Sequence, residues 1–159
     1  SIARALTMNP EILICDEPVS ALDVSVQAKI LNLLEDMKAR YDLSLVFISH
    51  DLSVVRNVSD RVVVMYLGKL CEVGGADRLY EAPAHPYTRA LLASAPEPAR
   101  SVGVADAVLG DDLPSPTDPP SGCRFRTRCP LAIDRCAFEE PLMQQISEDH
   151  FVACHLPFT

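Results

Sequence analysis

The sequence has 159 residues, a formal net charge of −8 and an isoelectric point of about 4.9. Its length fits about one domain, its acidic balance without a basic stripe argues against nucleic-acid binding, and its apolar stretches are strand-sized, too short to cross a bilayer. No secretion signal is visible, so we expect the six cysteines to act as thiols or metal ligands instead of forming disulfides.

Apolar periodicity predicts alternating strands and helices in the first half of the chain. The predicted elements are a helix end at 1–9, a strand at 11–16, a helix from Asp23 or Ser25 to about Arg40, a strand at 44–49, a short helix from Leu52 to Val58, and strands at 61–66 and 69–73. The long helix would make the first two strands parallel, and Leu67-Gly68 predicts a hairpin turn. This order predicts an α/β fold.

One face of the long predicted helix carries apolar residues at helical spacing. These residues are Ile30, Leu33, Leu34 and Met37. We expect them to face the core.

Prolines interrupt the predicted regular structure in the second half of the chain. Residues 75–95 predict two short helices broken at Pro83 and Pro86. Residues 96–122 are rich in Pro, Ser, Gly and Asp, and DLPSPTDPPSG at 112–122 is too proline-dense for a helix or a central strand. We therefore expect a linker or an extended arm, followed by a small cysteine-bearing segment at 123–159.

The segment ILICDEP at residues 12–18 places an apolar run directly before Asp16 and Glu17. Such a run fits a strand buried on both faces, and burying two carboxylates at its end is costly unless they bind a cation or do chemistry. Ligands of open α/β sheets bind at the carboxyl ends of strands. We predict that Asp16 holds Mg²⁺ and that Glu17 orients or deprotonates a water. The motif alone leaves a solvated acidic turn as an alternative.

Three further segments flank this strand: SIARAL at 1–6, SALD at 20–23 and LVFISHD at 45–51. In order and spacing, the set resembles the second half of an ATP-binding cassette (ABC) ATPase: the helix after the signature loop, the Walker B strand, the D-loop and the switch histidine. The resemblance covers most of the first hundred residues. It implies an α/β fold, the C-terminal part of a P-loop NTPase domain.

The resemblance implies a role for four side chains. Asp16 would be the Walker B aspartate that binds Mg-ATP, and Glu17 the catalytic glutamate. His50 would be the switch histidine that reaches the γ-phosphate. Asp23 would belong to the D-loop, which crosses the dimer interface and couples two ATP sites. Asp23 can also be a simple helix N-cap, and both roles can hold together.

Other parts of the ABC pattern do not occur in these 159 residues. The P-loop GxxxxGK[ST], the Q-loop and the LSGGQ signature are missing, and the sequence starts at Ser1 inside a predicted helix. We therefore expect a C-terminal fragment of a longer protein. The parent would bind and hydrolyse ATP, whereas the fragment would do neither well, because the P-loop backbone and lysine cradle the phosphates.

The segment HPYTRALL at 85–92 and the cysteine tail resemble the oligopeptide/dipeptide (nickel) importer subfamily. This implies three parts. Residues 1–80 would be the C-terminal half of a nucleotide-binding domain, 81–122 a helical segment with a Pro-rich linker, and 123–159 a Cys-rich C-terminal extension.

Four tail cysteines follow the pattern Cys123-x5-Cys129-x6-Cys136-x17-Cys154. The pattern lacks the CxxC pair that usually begins a zinc knuckle, so the residues alone leave iron–sulfur, zinc and metal-free thiols open. In several members of the subfamily this extension carries an iron–sulfur cluster. The resemblance therefore implies that these cysteines bind a 4Fe-4S cluster, with zinc as the alternative metal. His155 could substitute as a ligand.

The function implied by the resemblance is ATP hydrolysis that powers import of peptides across the cytoplasmic membrane. The protein would pair with a second ABC ATPase subunit, in a homodimer or heterodimer, on the cytoplasmic face of permease subunits served by a substrate-binding protein. One alternative is an ABC-type ATPase acting on nucleic acid, which the acidic charge disfavours. The other is a metal-binding interaction module, which the intact Asp16, Glu17, Asp23 and His50 disfavour.

Overall fold

The computed structural model describes residues 2–94 and 113–158. They form a mixed α/β structure with two compact units, Ser1–Ser59 and Asp60–Thr159. The first unit contains α1 (Ile2–Leu6), β1 (Ile12–Asp16), α2 (Val24–Tyr41), β2 (Ser44–Ile48) and α3 (Leu52–Val58). The second contains β3 (Arg61–Tyr66), β4 (Lys69–Gly75), α4 (Ala76–Glu81), α5 (Pro86–Ser94), α6 (Arg135–Phe138), β5 (Gln144–Ser147) and β6 (His150–Val152).

Strands β1 and β2 of the first unit are parallel, as predicted, and α2 connects them. Helix α2 begins at Asp23, whose Oδ1 accepts a hydrogen bond from the Val26 N–H at 3.0 Å. It ends at Asp42, a left-handed residue whose N–H donates to the carbonyl of Lys38. Local capping chemistry therefore sets both ends of the helix between the two strands.

Strand β1 is buried on one face, so the prediction of burial on both faces is wrong. Leu13 and Cys15 pack with Leu34 of α2, whereas Ile12 and Ile14 are 60% and 66% exposed. Helices α1 and α2 both contribute to the cluster on the Leu13 side. In the predicted apolar stripe of α2, Leu34 and Met37 are buried and Ile30 is half-buried. Leu33 is 46% exposed, contrary to expectation.

The second unit is built on an antiparallel sheet of order β3-β4-β6-β5. The predicted hairpin β3–β4 is confirmed, and its turn has positive φ at Leu67 (46°) and Gly68 (76°), as a two-residue type I′ turn requires. Strands β5 and β6 were not predicted. They bring the cysteine tail into the same sheet, because β6 pairs with β4 at Glu72↔Val152.

A buried carboxylate links three segments of the second unit. Glu72 on β4 is 0% exposed. Its Oε1 accepts the Ala84 N–H at 2.7 Å and lies 2.7 Å from Nε2 of His150 on β6, and its Oε2 accepts the His85 N–H at 2.9 Å. One side chain thus holds the start of α5 and the tail strand against β4.

The predicted organisation at 1–80, 81–122 and 123–159 remains a prediction. Most of the predicted linker lies outside the described residues. The described part, residues 113–122, contains turns and no helix or strand, in keeping with its proline content. Among the described residues, no helix is both long and apolar enough to cross a membrane.

Candidate functional site

The carboxyl ends of β1 and β2 bring the predicted nucleotide residues to one edge of the two-stranded sheet. Asp16 is in register with Ile48, and the Glu17 N–H donates to the Ile48 carbonyl at 2.9 Å. His50 follows β2 by two residues. Because the strands are parallel and in register, side chains from both ends meet at this edge.

Glu17 and His50 contact each other directly. Glu17 Oε1 lies 3.1 Å from His50 Nδ1, and the side chains are 50% and 74% exposed, respectively. Glu17 has a left-handed backbone with a φ of 43°, which is uncommon for a residue other than glycine. An exposed pair of this kind contributes at most about 1 kcal/mol to stability. Its consequence is orientation, because the imidazole fixes a carboxylate that is open to water.

Asp16 and Asp23 have different surroundings. Asp16 is exposed at the end of β1, beside Glu17. Asp23 caps α2, so the N-cap interpretation is confirmed, whereas its D-loop role remains a prediction. In the part of the chain that the structure describes, no three His, Cys, Asp or Glu side chains are arranged to hold a metal ion. Asp16 and Glu17 are still suitable ligands for a Mg²⁺ ion whose other ligands are phosphate oxygens, since Mg²⁺ commonly binds only one or two protein carboxylates.

The four tail cysteines line one pocket of the second unit. Cys123, Cys129, Cys136 and Cys154 share its wall, and all are free thiols. The Cys123 N–H donates to the Cys136 carbonyl at 2.8 Å, which fixes the two segments against each other. Gly122 has a φ of 64°, and a Cβ there would clash with the Cys136 carbonyl oxygen. The close approach of these segments therefore requires glycine.

Burial favours the protonated form of three of these thiols, those of Cys123, Cys129 and Cys154. Desolvation raises the pKa of Cys123 and Cys129 above the ordinary thiol value, and that of Cys154 to about 11. A metal would have to displace these protons, because thiolates are the metal-binding form. The pocket thus gathers the predicted ligands without a ready metal geometry.

Several buried polar residues near the pocket escaped sequence analysis. Glu72, His85 and His150 are each at most 2% exposed. The segment HPYTRALL drew attention only through its resemblance to a family. The sequence signal that could have singled out His85 is its position directly before Pro86, a proline that suits the first residue of a helix.

Comparison with known proteins gives a consistent set of relatives. Residues 71–136 match the family model described as the oligopeptide/dipeptide transporter, C-terminal region. The oligopeptide transport ATP-binding protein AppF of Bacillus subtilis is 55% identical over 157 residues, which is 98% of this chain and 48% of that protein.

Two further relatives carry similar names. A Brucella ovis protein named for peptide import and ATP binding is 52% identical over 153 residues, 96% of this chain and 48% of that protein. A Sinorhizobium fredii protein named as a peptide ABC transporter ATP-binding protein is 51% identical over 155 residues, 98% of this chain and 44% of that protein. The chain spans about half the length of the curated relatives it matches.

Proposed function

Because this chain belongs to the family of oligopeptide/dipeptide transporter ATP-binding proteins, we propose that it is part of an ATPase that powers peptide import. The observation that carries the proposal is the Glu17–His50 contact at the ends of two parallel strands. The names of the relatives give no support to a nucleic-acid ATPase or to a metal-binding interaction module.

The proposed chemistry assigns one task to each side chain at the strand edge. Bound Mg-ATP supplies the phosphoryl group that is transferred to water. Asp16 provides a carboxylate oxygen for Mg²⁺, directly or through water. Glu17 accepts a proton from the attacking water, while His50 holds the Glu17 carboxylate and reaches the γ-phosphate. Asp23 acts in the D-loop toward a second ATP site while it caps α2.

We propose the partners and location on the same basis. The ATPase would form a homodimer or heterodimer with a second ABC ATPase subunit, bind permease subunits and act with a substrate-binding protein. It would lie peripherally on the cytoplasmic face of the membrane. The names of the relatives support peptide transport and ATP binding, and the dimer and the membrane face are inferences from that role.

The 159-residue chain by itself should show no saturable binding of Mg-ATP at millimolar nucleotide in isothermal titration calorimetry. The reason is that its sequence contains no GxxxxGK[ST] loop to cradle the β and γ phosphates. The matched control is a full-length protein that contains this sequence together with such a loop. Tight binding by the 159-residue chain would reveal a second kind of phosphate site.

We also propose that the pocket cysteines bind a 4Fe-4S cluster, with zinc as the alternative. The support is the convergence of four free thiols from separate segments on one pocket. Thiolates are the usual ligands of such clusters. Arg126 lines the same pocket and can offset part of the negative charge of thiolates. The residues present therefore fit the group in their donor chemistry, and their thiols would have to move to reach a metal-binding geometry.

Protein purified without oxygen should be brown and contain iron and sulfide in near-equal amounts. Replacing Cys129 or Cys136 by serine should bleach it, because each removes a thiolate ligand. Cys15→Ala is the matched control, since Cys15 lies in the first unit on β1 and should leave the colour unchanged. A colourless protein with stoichiometric zinc would support the zinc alternative, and a folded, metal-free tail would contradict both metals.

A further inference from the structure

A buried histidine shares the wall of the cysteine pocket. His85 is 2% exposed and lines the pocket together with the four cysteines. Its ring lies 5.8 Å, centroid to centroid, from Phe125, a buried residue between Cys123 and Cys129 in the sequence. The imidazole is therefore part of the protein layer that surrounds the thiols.

The proton on the His85 ring can be assigned from its contacts. The Tyr87 backbone N–H lies 3.0 Å from Nδ1 of His85 and can only donate, so Nδ1 is the acceptor. Burial lowers the pKa of His85 to about 4, an effect that the nearby Glu72 carboxylate opposes only in part. The ring is neutral at pH 7, and a neutral imidazole carries one N–H. That N–H is on Nε2.

The backbone of His85 is fixed in place. Its N–H donates to Glu72 Oε2, and the adjacent Ala84 N–H donates to Glu72 Oε1. The Arg89 guanidinium donates to the Pro83 carbonyl at 2.9 Å, one residue before Ala84. Across residues 2–94 and 113–158, the hydrogen bonds of the His85 ring involve Nδ1 and leave Nε2–H without an acceptor. The Nε2–H is therefore the ring donor that remains available to an acceptor bound in the pocket.

His155, the other histidine of the pocket wall, has the opposite arrangement. Its Nε2 lies 3.0 Å from the Glu139 carbonyl oxygen, which can only accept. His155 therefore uses its Nε2 proton outside the pocket. Of these two imidazoles, His85 is therefore the one whose N–H can donate a hydrogen bond to a group in the pocket.

We propose that His85 is a positioning residue for the cysteine pocket, where its Nε2–H donates a hydrogen bond to a sulfur atom of the bound metal centre. This inference rests on the iron–sulfur role proposed above. Hydrogen bonds to sulfur tune the reduction potential of such centres, and residues around the ligands typically change metal affinity about 10–100-fold. A donor stabilises the more negative, reduced state. Loss of the donor should therefore lower the potential.

The first test uses the metal-free 159-residue chain. Long-range ¹H–¹⁵N NMR should show His85 as a neutral imidazole with its proton on Nε2 at pH 7. A spectrum with the proton on Nδ1, or a doubly protonated ring, would overturn the inference whatever the pocket binds.

The second test compares matched amide variants after anaerobic reconstitution with Fe²⁺ and sulfide. His85→Asn places its amide near the Nδ1 position and lacks a donor in the pocket, whereas His85→Gln can reach the Nε2 position. The Asn variant should disfavour one-electron reduction about tenfold, which corresponds to about 59 mV. The Gln variant should remain within about threefold of wild type.

The outcomes separate this inference from the cluster itself. Asn32→Gln, at an exposed amide on α2 of the first unit, is the control and should leave the potential unchanged, and a shift as large as that of the His85→Asn variant would overturn the inference. Wild-type protein that takes up no iron and sulfide would overturn both the cluster and the role of His85. Uptake by all variants with one common potential would overturn the role of His85 alone. Circular dichroism of each variant is the check that it is folded.

Discussion

Replacing Glu17 by glutamine should lower ATP hydrolysis about 10²–10⁴-fold in a full-length protein that contains this sequence, while ATP binding persists. The amide has nearly the same shape as the carboxylate but cannot accept the proton of the attacking water. It can still contact His50, whose Nδ1 lies 3.1 Å from Glu17 Oε1. The measurements are steady-state phosphate release and nucleotide binding on the assembled transporter.

The matched control for this variant is Glu35→Gln. Glu35 is also an exposed glutamate of the first unit, but it lies on α2 away from the strand ends. Its replacement should leave turnover within about twofold of wild type, as expected for a surface residue outside the site. Near-normal turnover in the Glu17→Gln protein would contradict the assignment of the catalytic glutamate.

Replacing Glu72 by leucine should reduce the free energy of unfolding of the second unit by about 3–5 kcal/mol, as expected when one member of a buried polar pair is removed. Leucine fills similar space but leaves the Ala84 and His85 N–H groups without their acceptor, and it leaves His150 without its partner. Urea unfolding of the 159-residue chain, followed by circular dichroism, measures the change.

The Glu140→Leu variant is the matched control, because it removes a glutamate from an ion pair that is not buried. Glu140 lies 2.7 Å from Lys69, with both side chains about half exposed, and such an ion pair contributes at most about 1 kcal/mol. A similar loss of stability in the two variants would mean that the buried network around Glu72 adds nothing beyond an ordinary surface pair.

Local sequence patterns predicted the parts of the fold that local chemistry determines. Asp23 can cap a helix in any context, and Leu67-Gly68 suits a tight hairpin, so α2 and the β3–β4 turn could be read from a few neighbouring residues. The strand-end position of Glu17 and His50 also followed from the sequence. Their 3.1 Å contact did not, because it depends on the register of two separate strands.

The missed features depend on distant parts of the chain. Strands β5 and β6 have four and three residues and include polar side chains, so periodicity gives little signal. The apolar run of β1 could not show by itself that only one face is buried, since such a run looks the same whether one face or both are covered. The burial of His85 depends on Glu72 and Phe125, which come from a strand and a loop far away in sequence.

The pairing of β6 with β4 has a consequence for the order of events during translation. Strand β4 leaves the ribosome well before its partner β6, because residues 76–149 are synthesised between the two strands. Until β6 arrives, one edge of β4 has unpaired backbone groups, and Glu72 lacks His150. Nascent chains tend to fold from the N-terminus, but this sheet cannot be completed until β6 has been synthesised. During that interval the unpaired edge of β4 is accessible to chaperones and to incorrect strand pairing.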